Sequence, residues 1–308
     1  MAKQHASRVI ANDLELYSAT LNACYLSNKS AIDIDEMRSQ ISKIRAVVQA
    51  NLSPGFITKL YAPRDENNIQ EGERVFYTRR NAVFLDTFCS AVQEIAEPFR
   101  TLLLAPVIVQ ASMYVNTSGV FKGFYKNKNG IGQYGGDARN ALTRIMKDIE
   151  IIEPVFSNFE CFVDVTRVDA NAFCKDMEPV DVAYFDPPYN QHPYGSNYFM
   201  LNLLCDYKEP QDISKNSGIP KNWARSPYNK PQSARHALFE AVRNCRSSFV
   251  LISYNSEGFI EHSTFVAELS QIGKITVLDT EYNTFRGSRN LRNRDRYVTE
   301  FLYLVDKR

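Results

Sequence analysis

Apolar positions along this chain follow two spacings. Short runs of β-branched and aromatic residues read as buried strands, while stretches with an apolar residue every three or four positions read as helices. Residues 8–13 form the first such run and end on an acid, Asp13; residues 14–28 follow at once, with Leu14, Tyr17, Leu21, Tyr25 and Leu26 at helical spacing. Further strands are predicted at 160–166, 180–185, 247–254, 274–279 and 298–306. Helical spacing covers 41–50, 78–99, 100–115, 137–149, 198–205 and 257–272, and residues 207–235 read as a long polar connection holding four prolines and Trp223. Strands alternating with helices mean an α/β fold, interrupted by a helical region. The expected division is therefore residues 1–30 as the start of the α/β domain, 31–150 as an inserted helical substructure, and 151–308 as the rest of that domain. The insertion serves either as structural cover or in target recognition.

The strand at 180–185 runs into Asp186-Pro187-Pro188-Tyr189. Prolines cannot donate to a sheet ladder, so the strand stops where open α/β sheets place their ligands, at its carboxyl end. Asp186 and the proline carbonyls are acceptors, and Tyr189 offers a flat face beside them. That set suits an exocyclic amine on a planar ring: the acceptors take the amine hydrogens, the nitrogen lone pair becomes available, and the tyrosine stacks on the base.

Two basic loops bear on a partner. Gly130-Ile131-Gly132-Gln133-Tyr134-Gly135 fits a GxGxxG dinucleotide loop, but the segment before it, residues 121–129, is polar and basic instead of a buried strand. Lys122, Lys126 and Lys128 with interleaved aromatics read better as a loop touching a phosphate backbone. Residues 285–296 join the last two strands and hold five arginines, among them Arg286, Arg289, Arg292 and Arg294, whose planar forks suit phosphate.

Composition narrows the class further. The 308 residues carry a net charge of only +1, so a polyanion must be met by these local clusters and not by the chain as a whole. Six scattered cysteines and four histidines offer neither a zinc site nor a disulfide framework, so no metal is expected and a reducing cytoplasm is. The first eight residues are polar, and no segment reads as a signal region or a membrane span.

Asp186-Pro187-Pro188-Tyr189, with the following Asn190-Gln191-His192-Pro193-Tyr194-Gly195-Ser196-Asn197-Tyr198-Phe199-Met200, resembles the catalytic motif of the D12-class DNA adenine N6-methyltransferases. Ile10-Ala11-Asn12-Asp13 is similar to that family's second motif, Val120-Phe121-Lys122-Gly123-Phe124 and Gly287-Ser288-Arg289-Asn290-Leu291 have counterparts in it, and the order of these segments is kept. The resemblance implies a Rossmann-like methyltransferase sheet, S-adenosylmethionine as cofactor and double-stranded DNA as partner. It implies Asp186, Pro187, Pro188 and Tyr189 as catalytic residues. Asp13 would bind the cofactor's ribose, Asp169 with Ala170 its adenine, and Asp186 would border the same site. Read alone, Asp13 is more often a helix cap than a ribose ligand, and the alternative for Asp169 is a loop acid. The family's Phe-x-Gly-x-Gly loop and the strand before it have no counterpart here. That strand is central in the family's sheet, so a gap with two unpaired edges is expected, filled by a second polypeptide or an absent upstream segment. The expected function is site-specific adenine N6 methylation of DNA in a restriction-modification system; a non-catalytic recognition subunit, or methylation of cytosine N4 or RNA adenine, are the alternatives.

Overall fold

The computed structural model describes residues 2–283 and 297–308. Arg286, Arg289, Arg292 and Arg294 therefore lie outside the described residues. In chain order the elements are α1 (Ala2–His5), β1 (Arg8–Asn12), α2 (Leu16–Tyr25), α3 (Ile34–Ala50), α4 (Phe56–Tyr61), α5 (Arg79–Val92), α6 (Phe99–Met113), α7 (Leu142–Ile145) and β2 (Phe162–Thr166). There follow α8 (Ala170–Asp176), β3 (Val180–Phe185), α9 (Tyr194–Asn197), α10 (Phe199–Asp206), α11 (Pro231–Asn244), β4 (Ser247–Asn255), α12 (His262–Leu269), β5 (Lys274–Asn283) and β6 (Tyr297–Asp306). They divide into two compact units, Met1–Arg167 with Gly195–Ala224, and Val168–Tyr194 with Arg225–Arg308.

In the first unit β1 and β2 pair in parallel, from Arg8 opposite Phe162 to Asn12 opposite Thr166. The helices supply its core, where Cys24, Ile41, Ile57, Leu85, Leu103, Ile108, Phe199 and Met200 are buried together. Side-chain caps set where they start. Asp33 accepts the Glu36 N–H at 2.9 Å, which starts α3 well before residue 41. Thr78 accepts the Asn81 N–H at 3.2 Å at the head of α5. Each cap contributes about 1 kcal/mol. The helix predicted over 137–149 shrinks to the single turn α7, because Gly135, Gly136, Arg139 and Ala141 all take positive φ, which a right-handed helix cannot accommodate.

Helix α4, too short to show a period, is held by a distant acid. Buried Asp86 on α5 accepts the N–H groups of Gly55 (2.8 Å), Ile57 (3.0 Å) and Thr58 (2.8 Å), the Thr58 hydroxyl (2.6 Å) and the Tyr207 hydroxyl (2.9 Å). One carboxylate thus satisfies the orphan donors at the start of α4 and ties the segment after α10 to α5. Gly55 is fixed by the same contact, since a Cβ there would lie 2.5 Å from the Tyr207 hydroxyl and 2.7 Å from Asp86 Oδ1.

The second unit is a four-stranded sheet in the order β3-β4-β6-β5. β3 and β4 are parallel, with Phe185 opposite Ile252, while β6 lies antiparallel between β4 and β5. Among the described residues β5 is thus antiparallel to its one neighbour yet runs in the same direction as β3. Asn283 and Tyr297, paired across β5 and β6, stand at the sheet end that carries Asp186. Leu238, Phe239 and Val242 of α11 and Phe265 and Leu269 of α12 pack on Val250, Ile252, Tyr254, Tyr303 and Val305. α11 lies partly inside what reads as a polar connection; Pro231 at its first turn preorganises it. α12 begins at His262 instead of 257, after a turn in which the Gly258 N–H bonds the Asn255 carbonyl. β3 also presents Val182 and Tyr184, which are exposed, and among the described residues it pairs with β4 alone.

Replacing Asp86 by alanine orphans several buried donors at once. A loss of about 3–5 kcal/mol of unfolding free energy is expected in urea denaturation. Gly55→Ala should destabilise in the same sense.

Candidate active site

The turn after β3 is fastened to the carboxyl end of β4. The Tyr189 carbonyl accepts the Phe259 N–H at 3.0 Å and the Tyr254 hydroxyl at 3.4 Å. Its ring meets the Tyr254 ring edge-on, centroids 6.1 Å apart at 74°, a geometry worth about 0.5–1.5 kcal/mol beyond the area buried. Its hydroxyl is hydrogen-bonded by the side chain of Asn255, a buried residue whose Oδ1 also accepts the Glu257 N–H at 3.1 Å. Downstream, the Asn190 carbonyl accepts the Asn229 amide at 2.9 Å, and Asn190 Oδ1 accepts the His192 N–H at 3.0 Å. Pro187 is buried, while Pro188 and Tyr189 are half-buried.

Negative charge gathers here. Asp186 keeps solvent contact, yet the protein atoms crowding its carboxyl raise it above its ordinary value, and the Glu300 carboxylate raises it further. Tyr189 is pushed up by burial first and then by Glu300, with the Asn255 hydrogen bond opposing the shift. Neither Glu300 nor Asn255 stands out in the sequence. Register brings them together, Asn255 on β4 facing Glu300 on β6.

Asp169 in this unit is exposed and caps α8, its Oδ1 accepting the N–H groups of Asn171 at 3.0 Å and Ala172 at 3.1 Å. Ala170 opens that helix.

In the first unit Asp13 follows β1. Its N–H bonds the Thr166 carbonyl at 3.3 Å and its Oδ1 accepts the Glu15 N–H at 2.9 Å, so it shapes a turn ahead of α2. Glu15 is buried, with Oε2 taking the Asn202 amide at 2.6 Å, and Asn202 Oδ1 accepts the Tyr17 N–H at 3.0 Å. Burial raises the Glu15 carboxyl, against the opposing Asn202 bond. An acid two positions beyond Asp13 was the only sequence signal of this clamp.

Lys122, Lys126 and Lys128 are exposed, whereas Phe121 is buried against Phe76 and Phe199, and Phe124 meets Phe76 edge-on at 5.2 Å. The aromatics of this loop thus anchor it, and the lysines point outward, with Lys126 Nζ 5.2 Å from the Phe124 ring. The GxGxxG segment begins beyond the Lys126–Gly132 bridge partner Lys126 and follows no strand; it closes a local loop in which the Asn127 N–H bonds the Ile131 carbonyl at 2.8 Å. Among the described residues no His, Cys, Asp or Glu group could hold a metal ion, and no helix is long and apolar enough to cross a membrane.

Residues 1–267 match the family described as D12 class N6 adenine-specific DNA methyltransferase. The chain belongs to that family. It is an enzyme that methylates adenine N6 in DNA, and family membership implies S-adenosylmethionine as methyl donor. It is similar to the Type II methyltransferase M.CviAII of Paramecium bursaria Chlorella virus 1, 28% identical over 308 residues that cover 96% of this chain and 82% of that one. It is also similar to the Type II methyltransferase M.NlaIII of Neisseria lactamica, 26% identical over 99% of this chain and 86% of that one. The modification methylase LlaI of Lactococcus lactis subsp. lactis is 22% identical over 90% of this chain and 43% of its own length. No solved structure gives a significant match.

The charge at Asp186 has a thermodynamic signature in this methyltransferase. A carboxyl raised in the folded state binds its proton more tightly there than in the unfolded chain, so ionisation costs stability. The cost is absent well below the unfolded value of about 4, where both states are protonated, and complete once the pH passes the folded value. Asp186→Asn should therefore raise Tm at pH 7, and the gain should vanish in acid when the same melts are repeated there.

Proposed function

We propose that this methyltransferase modifies a specific DNA sequence within a restriction-modification system, with Asp186, Pro187, Pro188 and Tyr189 acting on a flipped-out adenine. The Type II names of its relatives support the setting. The observation that carries the site assignment is the fastening of the Asp186–Tyr189 turn to β4, which holds acceptors and an open aromatic face at a strand's carboxyl end. Asp186 and the Pro187 carbonyl take the two amine hydrogens, which frees the nitrogen lone pair, and Tyr189 stacks on the base. A strong base is unnecessary, because the proton leaves after the nitrogen has become cationic.

S-Adenosylmethionine supplies an electrophilic methyl group on a sulfonium. The donor set of the chain fits it. Asp13 and Asp169 each follow the carboxyl end of a strand, and each spends one carboxylate oxygen, Oδ1, on its local turn, which suits the other to a ribose hydroxyl or an adenine amine. Ala170 offers backbone beside Asp169. Lys122, Lys126 and Lys128, with Arg286, Arg289, Arg292 and Arg294, meet DNA phosphates, and the helical region 31–150 serves target recognition.

A further strand with a glycine-rich loop, carried by a second polypeptide or by a segment upstream of the sequence given, completes the cofactor site. Its support is the outer edge of β3, paired on one side only, beside exposed Val182 and Tyr184; parallel strands are ordinarily covered on both faces. The site of action is the cytoplasm.

Two measurements test this reading. Asp186→Ala should abolish methyl transfer and leave DNA affinity largely intact, since phosphate contacts carry most of it; retained turnover would remove Asp186 from the chemistry. Equilibrium binding of S-adenosylmethionine should be absent for the chain alone and appear when the product of the adjoining upstream reading frame is added. Tight binding by the chain alone would dispose of the second polypeptide.

A further inference from the structure

The Asp186 turn has a neighbour that the reading above leaves without a task. Glu300 is half-buried on β6, directly opposite Asn255 of β4, and the Asn255 side chain holds the Tyr189 hydroxyl. Phe185 pairs with Ile252, which sets Asp186 beside Ser253; Ser253 pairs with Leu302, two positions along β6 from Glu300. The start of β6 is pinned to the end of β4 by the Ser256 N–H to the Thr299 carbonyl (2.9 Å) and the Thr299 N–H to Ser256 Oγ (3.1 Å). Backbone ladder and side-chain bond thus converge on one end of one sheet.

We propose that Glu300 is a positioning carboxylate for the Asp186 turn, whose negative charge readies Asp186 to take the proton that leaves the methylated amine. The inference rests on the assignment of Asp186 to the target amine. In the step, the N6 lone pair forms the new carbon–nitrogen bond as the carbon–sulfur bond breaks and its electron pair stays with sulfur. The nitrogen then carries the positive charge until one of its two hydrogens passes to Asp186 and on to solvent. Glu300 forms no bond; a second carboxylate near the first makes protonation of the first more favourable.

The other groups facing this point do not supply that effect. Among the described residues Glu257, beyond β4, acts on Tyr189, and Thr280, opposite Glu300 on β5, is uncharged. Asp279 and Glu281, either side of Thr280, alternate to the other face of the sheet.

Glu300→Gln removes the charge and keeps the shape. In the free protein, the carboxyl titration of Asp186 followed by 13C NMR should move to lower pH. In the assembly that methylates DNA, kcat should fall a few-fold, with the acid limb of its pH profile displaced in the same direction and KM for DNA unchanged. Glu300→Asp should restore most of kcat. An Asp186 titration that stays put in a folded Glu300→Gln protein would overturn the proposal, as would a fall in kcat with no displacement of the profile. Should Asp186→Ala itself retain turnover, the underlying assignment fails; should it be inactive while Glu300→Gln matches the parent, only Glu300's role is lost.

Discussion

Two consecutive prolines at the end of β3 give up the N–H groups by which a strand is held to its neighbour. The turn that follows must be fixed by other means, and the rest of the second unit provides them. Tyr189 spends its carbonyl on Phe259 and Tyr254, its ring on Tyr254 and its hydroxyl on Asn255, all from β4 or the segment just beyond it. The position of β4 is in turn set by α11 and α12 on one face and by β6 at its side. A motif of four residues therefore depends on packing spread over some 130 residues of chain.

The first unit works by a comparable device with a different group. Asp86 gathers five donors from the start of α4 and from Tyr207, so a helix of six residues is stable where its own length would not make it so. Glu15 and Asn202 fix the turn containing Asp13 in the same manner, through buried side-chain bonds. In both units the acids assigned to chemistry sit in short turns, and neighbouring polar side chains give those turns their shape.

Much of this was legible in the amino-acid order and some was not, for physical reasons. Strand runs at 8–13, 180–185 and 247–254 appear close to the expected bounds, because their β-branched and aromatic clusters are local signals. Helix α4 left no trace, since its cap comes from Asp86 nearly thirty residues away. The helix expected over 137–149 was broken by left-handed residues, Arg139 and Ala141 among them, that no propensity marks. Asp186 to Tyr189 was readable because its parts are adjacent. Asn255 and Glu300 were not, because only the β4–β6 register makes them neighbours. The lysine loop reads as polar and basic and its three lysines are exposed, but its phenylalanines are anchors in the core, a role that the spacing of aromatics does not mark.

The strand order carries a consequence for how the molecule is assembled. β6 lies between β4 and β5 although β5 precedes it in the chain. Among the described residues β5 pairs with β6 alone, so the β5–β6 hairpin joins the sheet as a pair when β6 docks along β4. Such a step joins segments far apart in sequence and belongs among the slower events of folding. Until it is complete, the end of β4 lacks the strand that flanks it, and the acid of β6 is not yet beside the turn. Acquisition of tertiary structure around the site should thus lag behind formation of the helices.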